Sequence, residues 1–297
     1  MTDVRVLTWN LFHGRDGFPG LGATWRSTML GRPGQSADGE YIHVNRKLMD
    51  EMGRLIAGAA PNIAMLQEVP PGAVGALVAA TGMQAVVVRT GPFLGPVRVR
   101  AALGSQNPDL WKTHEGNANV LLIGGAWSVV PGSVRSVRLN PPLVMARAAR
   151  RMRLGRAEVL NWAGESRRLV AATVAGPGGA RILAACTHCA TNPRVAEIEL
   201  RRARDHVLDW ADGLPILVGG DLNVGPGHPA LDLLTQQGFR EEIPGVGIDH
   251  IFSRGLATIG GRRWRPEERD LGVRVRGGLR RVRMSDHDLV EGMYRLP

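Results

Sequence analysis

Six apolar runs of the sequence each carry an acid, an amide or an imidazole at one end. The residues are Asn10, Glu68, His188, Asp221 with Asn223, Asp249, and Asp286 with His287. Burying any one of these groups without a partner would cost several kcal/mol. Bringing them to one place is physically reasonable if a divalent cation lies there, because Mg²⁺ takes oxygen ligands and keeps several waters. Asn10, Glu68 and Asp286 are the candidate ligands.

This combination of groups suits the hydrolysis of a phosphate ester, which needs a cation on the phosphate oxygens, an activated water and help for the leaving oxygen. His287 can accept a proton from water if a carboxylate holds its other ring nitrogen, and Asp249 is the candidate for that carboxylate. Asp221 and Asn223 can reach one phosphate from a single turn. His188 can donate a hydrogen bond to a phosphate oxygen, where negative charge develops.

The elements that must position these groups are mostly strands. Alternation of apolar and polar residues predicts a first strand that ends near Asn10. Further strands are predicted over 63–69, over a hairpin formed by 167–175 and 180–188, and over 214–224, 247–255 and 288–296. Helical spacing predicts helices over 44–60, 71–82, 192–213 and 229–239.

The order of these elements favours a layered α/β sandwich over a Rossmann sheet. Many strands are adjacent in sequence, and the two long helices lie in different halves. Neither a G-x-G-x-x-G pattern nor a P-loop follows a strand. Both halves run strand, polar turn, helix, which indicates a weak internal repeat.

The motifs around the polar residues resemble those of the endonuclease/exonuclease/phosphatase superfamily, the deoxyribonuclease I-like phosphohydrolases. "LTWN", "LQEV", "THCA", "GGDLNVGPGHPALDLL", "GIDHIF" and "SDHDLV" occur in the order that the family shows, over almost the whole chain. The resemblance implies an α+β fold of four layers, α/β/β/α, in which two mainly antiparallel sheets pack face to face with helices outside. It also implies one domain over 1–297, with the site at one end of the sheets.

The resemblance further implies Mg²⁺ or Mn²⁺ as the cofactor and a role for each polar residue. Asn10 and Glu68 bind the metal, and Asp286 supports the metal or water. Asp221 and Asn223 contact the attacking water and the phosphate, His188 binds the phosphate, and Asp249 orients His287. Many relatives have an arginine or tyrosine near the phosphate, and Arg167 is the candidate for that substrate-binding position. The segment 14–43 has no clear counterpart in the family and is expected to form a wall of the cleft.

The net charge of +10 is compatible with a nucleic-acid substrate. Nearly all of the positive charge is arginine, which can also reflect base composition of the genome. Few aromatic residues are available to stack on bases. The segment 254–283 carries ten arginines against three acids, which fits a solvated strand pair or a ridge that faces a polyanion.

Cys186 and Cys189 are spaced C-x-x-C, but a strand turns such positions to opposite faces and no second pair exists to complete a zinc site. His13 and His250 are expected to be structural. We expect no transmembrane helix, since no apolar run approaches about 18 residues, and without a signal-peptide pattern the expected location is cytoplasmic.

These observations predict a divalent-metal-dependent phosphoesterase that hydrolyses a phosphodiester, with a nucleic-acid or nucleotide-like substrate slightly favoured. Two alternatives use the same fold. One is a phosphatase or phosphodiesterase of a small molecule or lipid headgroup, and the other is a binding protein without turnover. The second alternative needs at least one defective motif, and none is found.

Overall fold

The computed structural model describes residues 2–17, 34–36, 39–43, 46–91, 117–241, 243, 247–275 and 278–297. Most of the predicted loop 14–43, and most of the loop-like stretch 91–118, lies outside these residues. No helix among the described residues has both the length and the apolar character needed to cross a membrane.

The strands and helices follow the predicted order, except that two helices between residues 142 and 163 were not predicted. The strands are β1 (Asp3–Asn10), β2 (Asp16–Gly17), β3 (Gly34–Gln35), β4 (Ile42–His43), β5 (Ile63–Val69), β6 (Gln84–Arg89), β7 (Ala118–Ile123), β8 (Ser128–Val129), β9 (Arg135–Arg138), β10 (Arg168–Ala175), β11 (Arg181–His188), β12 (Ile216–Asp221), β13 (Asp249–Arg254), β14 (Ala257–Arg263), β15 (Asp270–Val275), β16 (Gly278–Met284) and β17 (Val290–Arg295). The α-helices are α1 (Met49–Ala59), α2 (Val74–Thr81), α3 (Pro142–Met152), α4 (Arg156–Ala163), α5 (Pro193–Ala211) and α6 (Pro229–Thr235), and short 3₁₀ turns cover Phe12–Gly14, Pro71–Ala73, Pro177–Gly179 and Pro266–Arg269.

Two large sheets organise the chain. The first has the order β14-β17-β1-β5-β7-β6, and the second has the order β13-β12-β11-β10-β8 with β9 also paired to β10. Each sheet has one parallel pair, β1 with β5 and β11 with β12, and is otherwise antiparallel. A parallel pair needs a crossover connection, and α1 and α5 lie in these two connections. The weak repeat predicted from the sequence therefore corresponds to two strand–helix–strand units.

The core forms layers because side chains alternate along each strand. In β1, Val6 packs between the two sheets, whereas Leu7 and Trp9 face the opposite side, toward α1 and α2. The outer face of the second sheet packs against α5 and α6 through residues such as Val218 and Leu200. The predicted four-layer sandwich with helices outside is confirmed.

Register then aligns the polar strand ends. His188 pairs with Asp221 across β11 and β12, and Asp221 pairs with Asp249 across β12 and β13. In the first sheet Asn10 pairs with Gln67, the residue before Glu68. One end of each sheet therefore presents a row of acids, amides and imidazoles.

The two cysteines face opposite sides of the second sheet, as their spacing predicts. Both thiols are free and buried. Cys186 packs between the sheets, whereas Cys189 packs on the helical side of the second sheet. Burial raises the pKa of the Cys186 thiol to about 12.

The arginine-rich segment 254–283 differs from a simple solvated strand pair. Its first strand, β14, closes the edge of the first sheet, and β15 and β16 form a hairpin with β2. Arg269 is only 2% exposed and contacts Asp288 at 3.3 Å. Arg283 contacts Asp270 at 2.9 Å. Part of the positive charge of this segment is therefore neutralised inside the fold.

The close approach of β11 and β12 at Gly220 leaves no room for a side chain. Its φ is +142°, and a Cβ there would lie 1.8 Å from the Thr187 carbonyl oxygen. Gly220→Ala should therefore lower the free energy of unfolding by about 2–4 kcal/mol, measured by urea denaturation. The control is Gly75→Ala in α2, where a Cβ meets nothing within 4 Å, and it should stabilise the protein by up to about 1 kcal/mol. Equal stability of Gly220→Ala and the native protein would contradict this close pairing.

Candidate active site

Asn10 is the contribution of β1 to the site. It is fully buried, and its Oδ1 accepts a hydrogen bond from the Phe12 amide at 3.0 Å. This bond fixes the side chain so that Nδ2 donates to Asp221 Oδ2 at 3.0 Å. The same Nδ2 lies 3.4 Å from His287 Nε2. Asn10 therefore links the first sheet to the second and to the C-terminal loop.

Glu68 lies at a break in the ladder of β5. The register with β7 shifts between Leu66 and Val69, and Glu68 has a φ of +52°. Its carboxylate lies 3.3 Å from His13 Nε2 and 3.9 Å from His188 Nε2. Burial raises the pKa of Glu68 although His13 opposes the shift. A bound cation would therefore stabilise the charged form of this carboxylate.

The second sheet supplies His188 and Asp221. His188 Nε2 lies 3.3 Å from Asp221 Oδ2. Burial, and then the charge of Arg167, lower the pKa of His188 to about 3. The ring is therefore neutral at physiological pH, and an Nε2 that faces carboxylates carries the proton.

Asn223 shapes the turn after β12. Its φ is +53°, and its amide donates to Asp221 Oδ1 at 3.0 Å. Its Nδ2 donates to the Cys189 carbonyl at 2.8 Å. One side-chain hydrogen and the Oδ1 atom of Asn223 make no hydrogen bond with the described residues and are available for a ligand.

His287 is held from both sides. Its Nδ1 lies 3.1 and 3.2 Å from the two oxygens of Asp249. Its Nε2 lies 3.6 Å from Asp221 Oδ2 and 4.0 Å from Asp286 Oδ1. Burial lowers the pKa of His287, but the Asp249 and Asp221 carboxylates outweigh burial and raise the pKa well above its usual range.

Ser285, which sequence reasoning did not assign, fixes the backbone of this loop. Its hydroxyl donates to the Asn10 carbonyl at 2.7 Å and accepts from the His287 amide at 3.1 Å. The sequence signal that could have identified Ser285 is its position directly before Asp286 and His287 in "SDH".

The structure brings the eight residues predicted to be catalytic or metal-binding into one connected cluster. Each of them contacts another member within 4.0 Å: Asn10, Glu68, His188, Asp221, Asn223, Asp249, Asp286 and His287. Arg167 lies beside this cluster. Its guanidinium contacts Glu165 at 3.0 Å, and its charge also acts on Glu68 and Asp221. Its contact with substrate stays a prediction.

His13 belongs to the same neighbourhood, although its sequence context favoured a structural role. Its side chain is 10% exposed and contacts Glu68, and its φ of +55° is unusual for a residue with a side chain. A cavity of about 280 Å³ is lined by His13, Lys47, Met49 and Pro70. His250 fits its predicted structural role, since Nδ1 lies 2.6 Å from Glu241 and Nε2 lies 2.7 Å from the Val224 carbonyl.

Glu199 braces the chain just after His188. It is fully buried on α5. One oxygen accepts from Trp162 Nε1 at 2.6 Å, and the other accepts from the Ala190 amide at 2.7 Å. Burial raises the pKa of Glu199 to about 7, and Arg167 opposes the shift. Sequence reasoning missed this residue, because a glutamate on an amphipathic helix gives no sign of burial.

Two neighbouring sets of residues, with no member in common, could hold a cation. Among the described acids, histidines and cysteines, Asp221, Asp249 and His287 place ligand atoms within 4.8 Å of one another. In this set, however, Asp249 is already bound to His287 Nδ1. The predicted set of Asn10, Glu68 and Asp286 offers oxygen atoms, and Asp286 is 40% exposed. An all-oxygen, partly open set fits a hydrated Mg²⁺ or Mn²⁺ better.

The sequence matches no protein-family model and no curated protein sequence. Solved structures nevertheless share the fold over nearly the whole chain. An endonuclease/exonuclease/phosphatase family protein from Bacteroides thetaiotaomicron has a TM-score of 0.67 at 12% identity, over 100% of this chain and 98% of that chain.

The human Nocturnin catalytic domain with bound sulfate has a TM-score of 0.63 at 15% identity, over 99% of this chain and 95% of that chain. A mannosyl-6-phosphatase from B. thetaiotaomicron has a TM-score of 0.63 at 11% identity, over 98% of this chain and 99% of that chain. The predicted resemblance is confirmed at the level of the fold.

Glu199 generates a prediction about stability and pH. The folded state holds its proton up to about pH 7, whereas an unfolded glutamate releases it near its ordinary pKa of about 4.3. The native protein should therefore lose up to roughly 4 kcal/mol of stability as the pH rises from the lower to the higher of these two values. Urea denaturation across this range should show that Glu199→Gln lacks this loss. The control is Glu197→Gln, a half-exposed position on the same helix, which should keep the loss. Parallel curves for all three proteins would contradict the buried-acid assignment.

Proposed function

We propose that this chain, which has the fold of the endonuclease/exonuclease/phosphatase superfamily, is a divalent-metal-dependent phosphoesterase that hydrolyses a phosphodiester. The observation that carries the proposal is the group of polar atoms around Asp221 Oδ2. Asn10 Nδ2, His188 Nε2 and His287 Nε2 lie 3.0, 3.3 and 3.6 Å from this single oxygen. Donors, a carboxylate and an oriented imidazole thus converge from both sheets.

The donors of the cluster are suited to bind the oxygens of a phosphate. Neutral His188 can donate from Nε2. The side-chain amides of Asn10 and Asn223 are each held by hydrogen bonds to the protein, and each has a second N–H hydrogen that can be donated to a phosphate oxygen. These groups are held by the fold before substrate arrives, so little reorganisation is needed when charge develops on the phosphate.

The residues that would hold the cation are Glu68, Asn10 and Asp286. A divalent cation there supplies positive charge to the phosphate oxygens and lowers the pKa of bound water. Glu68 is the strongest of the three ligands, since its carboxylate is largely buried and burial disfavours its charge without a cation.

His287 and Asp221 accept the proton of the attacking water. Asp249 accepts the hydrogen bond from His287 Nδ1–H, so the exchanging proton lies at Nε2. Because Nε2 and Asp221 Oδ2 are 3.6 Å apart, the two groups act as one acid–base pair. As the water oxygen bonds to phosphorus, its proton enters this pair. The ester oxygen then leaves with the electrons of the broken P–O bond and takes a proton from the same His287–Asp221 pair, which returns to its starting state.

The substrate that we favour is a nucleic acid or a nucleotide-like phosphodiester, supported by the net charge of +10. The alternative is a phosphate monoester of a small molecule. The mannosyl-6-phosphatase of the same fold supports this alternative, as does the small cavity beside His13. Lipid headgroups and a binding protein without turnover have no comparable support.

Removal of the imidazole tests the catalytic assignment. His287→Ala should lower the turnover of bis-p-nitrophenyl phosphate by about 10²–10⁴-fold, because the water proton loses its acceptor pair. Its thermal unfolding midpoint should stay close to that of the native protein. The matched control is His206→Ala on the outer helix α5, which should keep full turnover. Undiminished activity of His287→Ala would show that the site is misassigned.

Metal dependence is tested with chelator and with Glu68→Gln. Treatment with EDTA should abolish turnover, and Mg²⁺ or Mn²⁺ should restore it. Glu68→Gln should need at least about 10-fold more Mn²⁺ for half-maximal activity, because a charged ligand is lost. It should also lose the Mn²⁺-induced rise in unfolding temperature. Glu51→Gln on α1 is the control. Full activity in EDTA would contradict the proposal.

A further inference from the structure

A groove lined by arginine and apolar side chains lies outside the candidate active site, between α3 and α5. Its volume is about 590 Å³. Five arginines line it, and we call it the arginine groove: Arg147, Arg151, Arg194, Arg201 and Arg202. The carboxylate among its described lining residues is that of Glu197, and apolar side chains such as Met152 and Ile198 complete the walls. No residue of the candidate active site lines it.

The positive charge of the arginine groove is largely uncompensated. Glu197 contacts Arg201 at 3.2 Å, and Arg194 donates to the Met152 carbonyl at 2.6 Å. Within the described part of the chain, Arg147 and Arg151 make no ion pair or side-chain hydrogen bond. Nε of Arg202 is buried, and no acceptor for it lies among the described residues. With five arginines and one carboxylate among its described lining residues, the groove carries a net positive charge.

The groove is joined to the active site by a short, braced connection. Helix α5 begins five residues after His188. Asn192 caps the N-terminus of α5, and its side-chain Nδ2 donates a hydrogen bond to Glu158 Oε1 of α4 at 2.9 Å. Arg194 lies six residues from His188, so the two backbones are at most about 20 Å apart. A flexible polymer bound in the groove could therefore reach the candidate active site.

The chemistry of the lining favours a nucleic-acid strand. Guanidinium groups bind phosphates in bidentate fashion and stack on exposed bases, so arginines can supply the stacking that scarce aromatic residues do not. The groove is concave and lies between two helices. This shape admits a single strand, whereas a bilayer or a duplex presents a broad surface.

We propose that the arginine groove binds the backbone of a single-stranded nucleic acid whose reacting phosphate lies in the candidate active site. This inference rests on the proposed function, since it names the substrate class of the same site. It adds a binding surface on α3 and α5, elements that the catalytic cluster does not use.

Anisotropy of a short labelled single-stranded DNA, measured with the full-length His287→Ala protein, tests binding without cleavage. Adding Arg147→Ala and Arg151→Ala should weaken affinity at least 10-fold and reduce the salt slope by about two between 50 and 200 mM salt. The control adds Arg254→Ala and Arg274→Ala, which remove the same charge from exposed positions outside the groove. This control should change affinity by no more than about 2-fold.

The test separates this inference from the proposed function. In a protein with native His287, the two groove substitutions should leave hydrolysis of bis-p-nitrophenyl phosphate unchanged, because this small diester does not reach α3. Absence of hydrolysis in the native protein would refute the proposed function, and the anisotropy measurement alone then decides whether the groove binds DNA. Equal DNA affinity of the groove and control variants would overturn the inference. Binding to phosphatidylserine vesicles but not to DNA would overturn it as well.

Discussion

A single buried carboxylate oxygen, Oδ2 of Asp221, is the point on which the two sheets of the sandwich converge. It accepts from Asn10 of the first sheet and faces His188 of the second. An isolated buried carboxylate is costly unless several donors surround it. The face-to-face packing of the sheets is therefore coupled to the site, because a displacement of one sheet would leave Asp221 without its donors.

Backbone conformation shows where the fold accepts strain for this purpose. Among the described residues, eight that are not glycine have a positive φ. Three of them, Ala60, Arg153 and Asp212, end helices in the left-handed conformation, a common way for helices to terminate. The other five lie at or next to the site: Phe12, His13, Glu68, Asn223 and Ser285. Such conformations cost of order 1–3 kcal/mol each, so hydrogen bonds such as those of Asn223 and Ser285 must hold them.

The sequence could predict the strand ends because an apolar run that closes on an acid or an imidazole is unusual. It could also predict α5, whose apolar residues recur at helical spacing. It could not predict the burial of Glu199, which depends on Trp162 from a helix that lies 37 residues away. The pair α3 and α4 was missed for a related reason, since an arginine-rich stretch such as 147–156 fits a helix face and a loop equally well. His13 was undervalued because its contact with Glu68 depends on a turn and a bulge that no local pattern encodes.

The most direct measurement of the central claim is the anomalous diffraction of crystals grown with Mn²⁺ and inorganic phosphate. We expect a Mn²⁺ peak about 2.1 Å from a Glu68 oxygen, with Asn10 and Asp286 on the same side. We also expect a phosphate within hydrogen-bond distance of His188. A Mn²⁺ ion ligated by Asp221, Asp249 and His287 with Glu68 remote, or no ion within the cluster, would contradict this assignment.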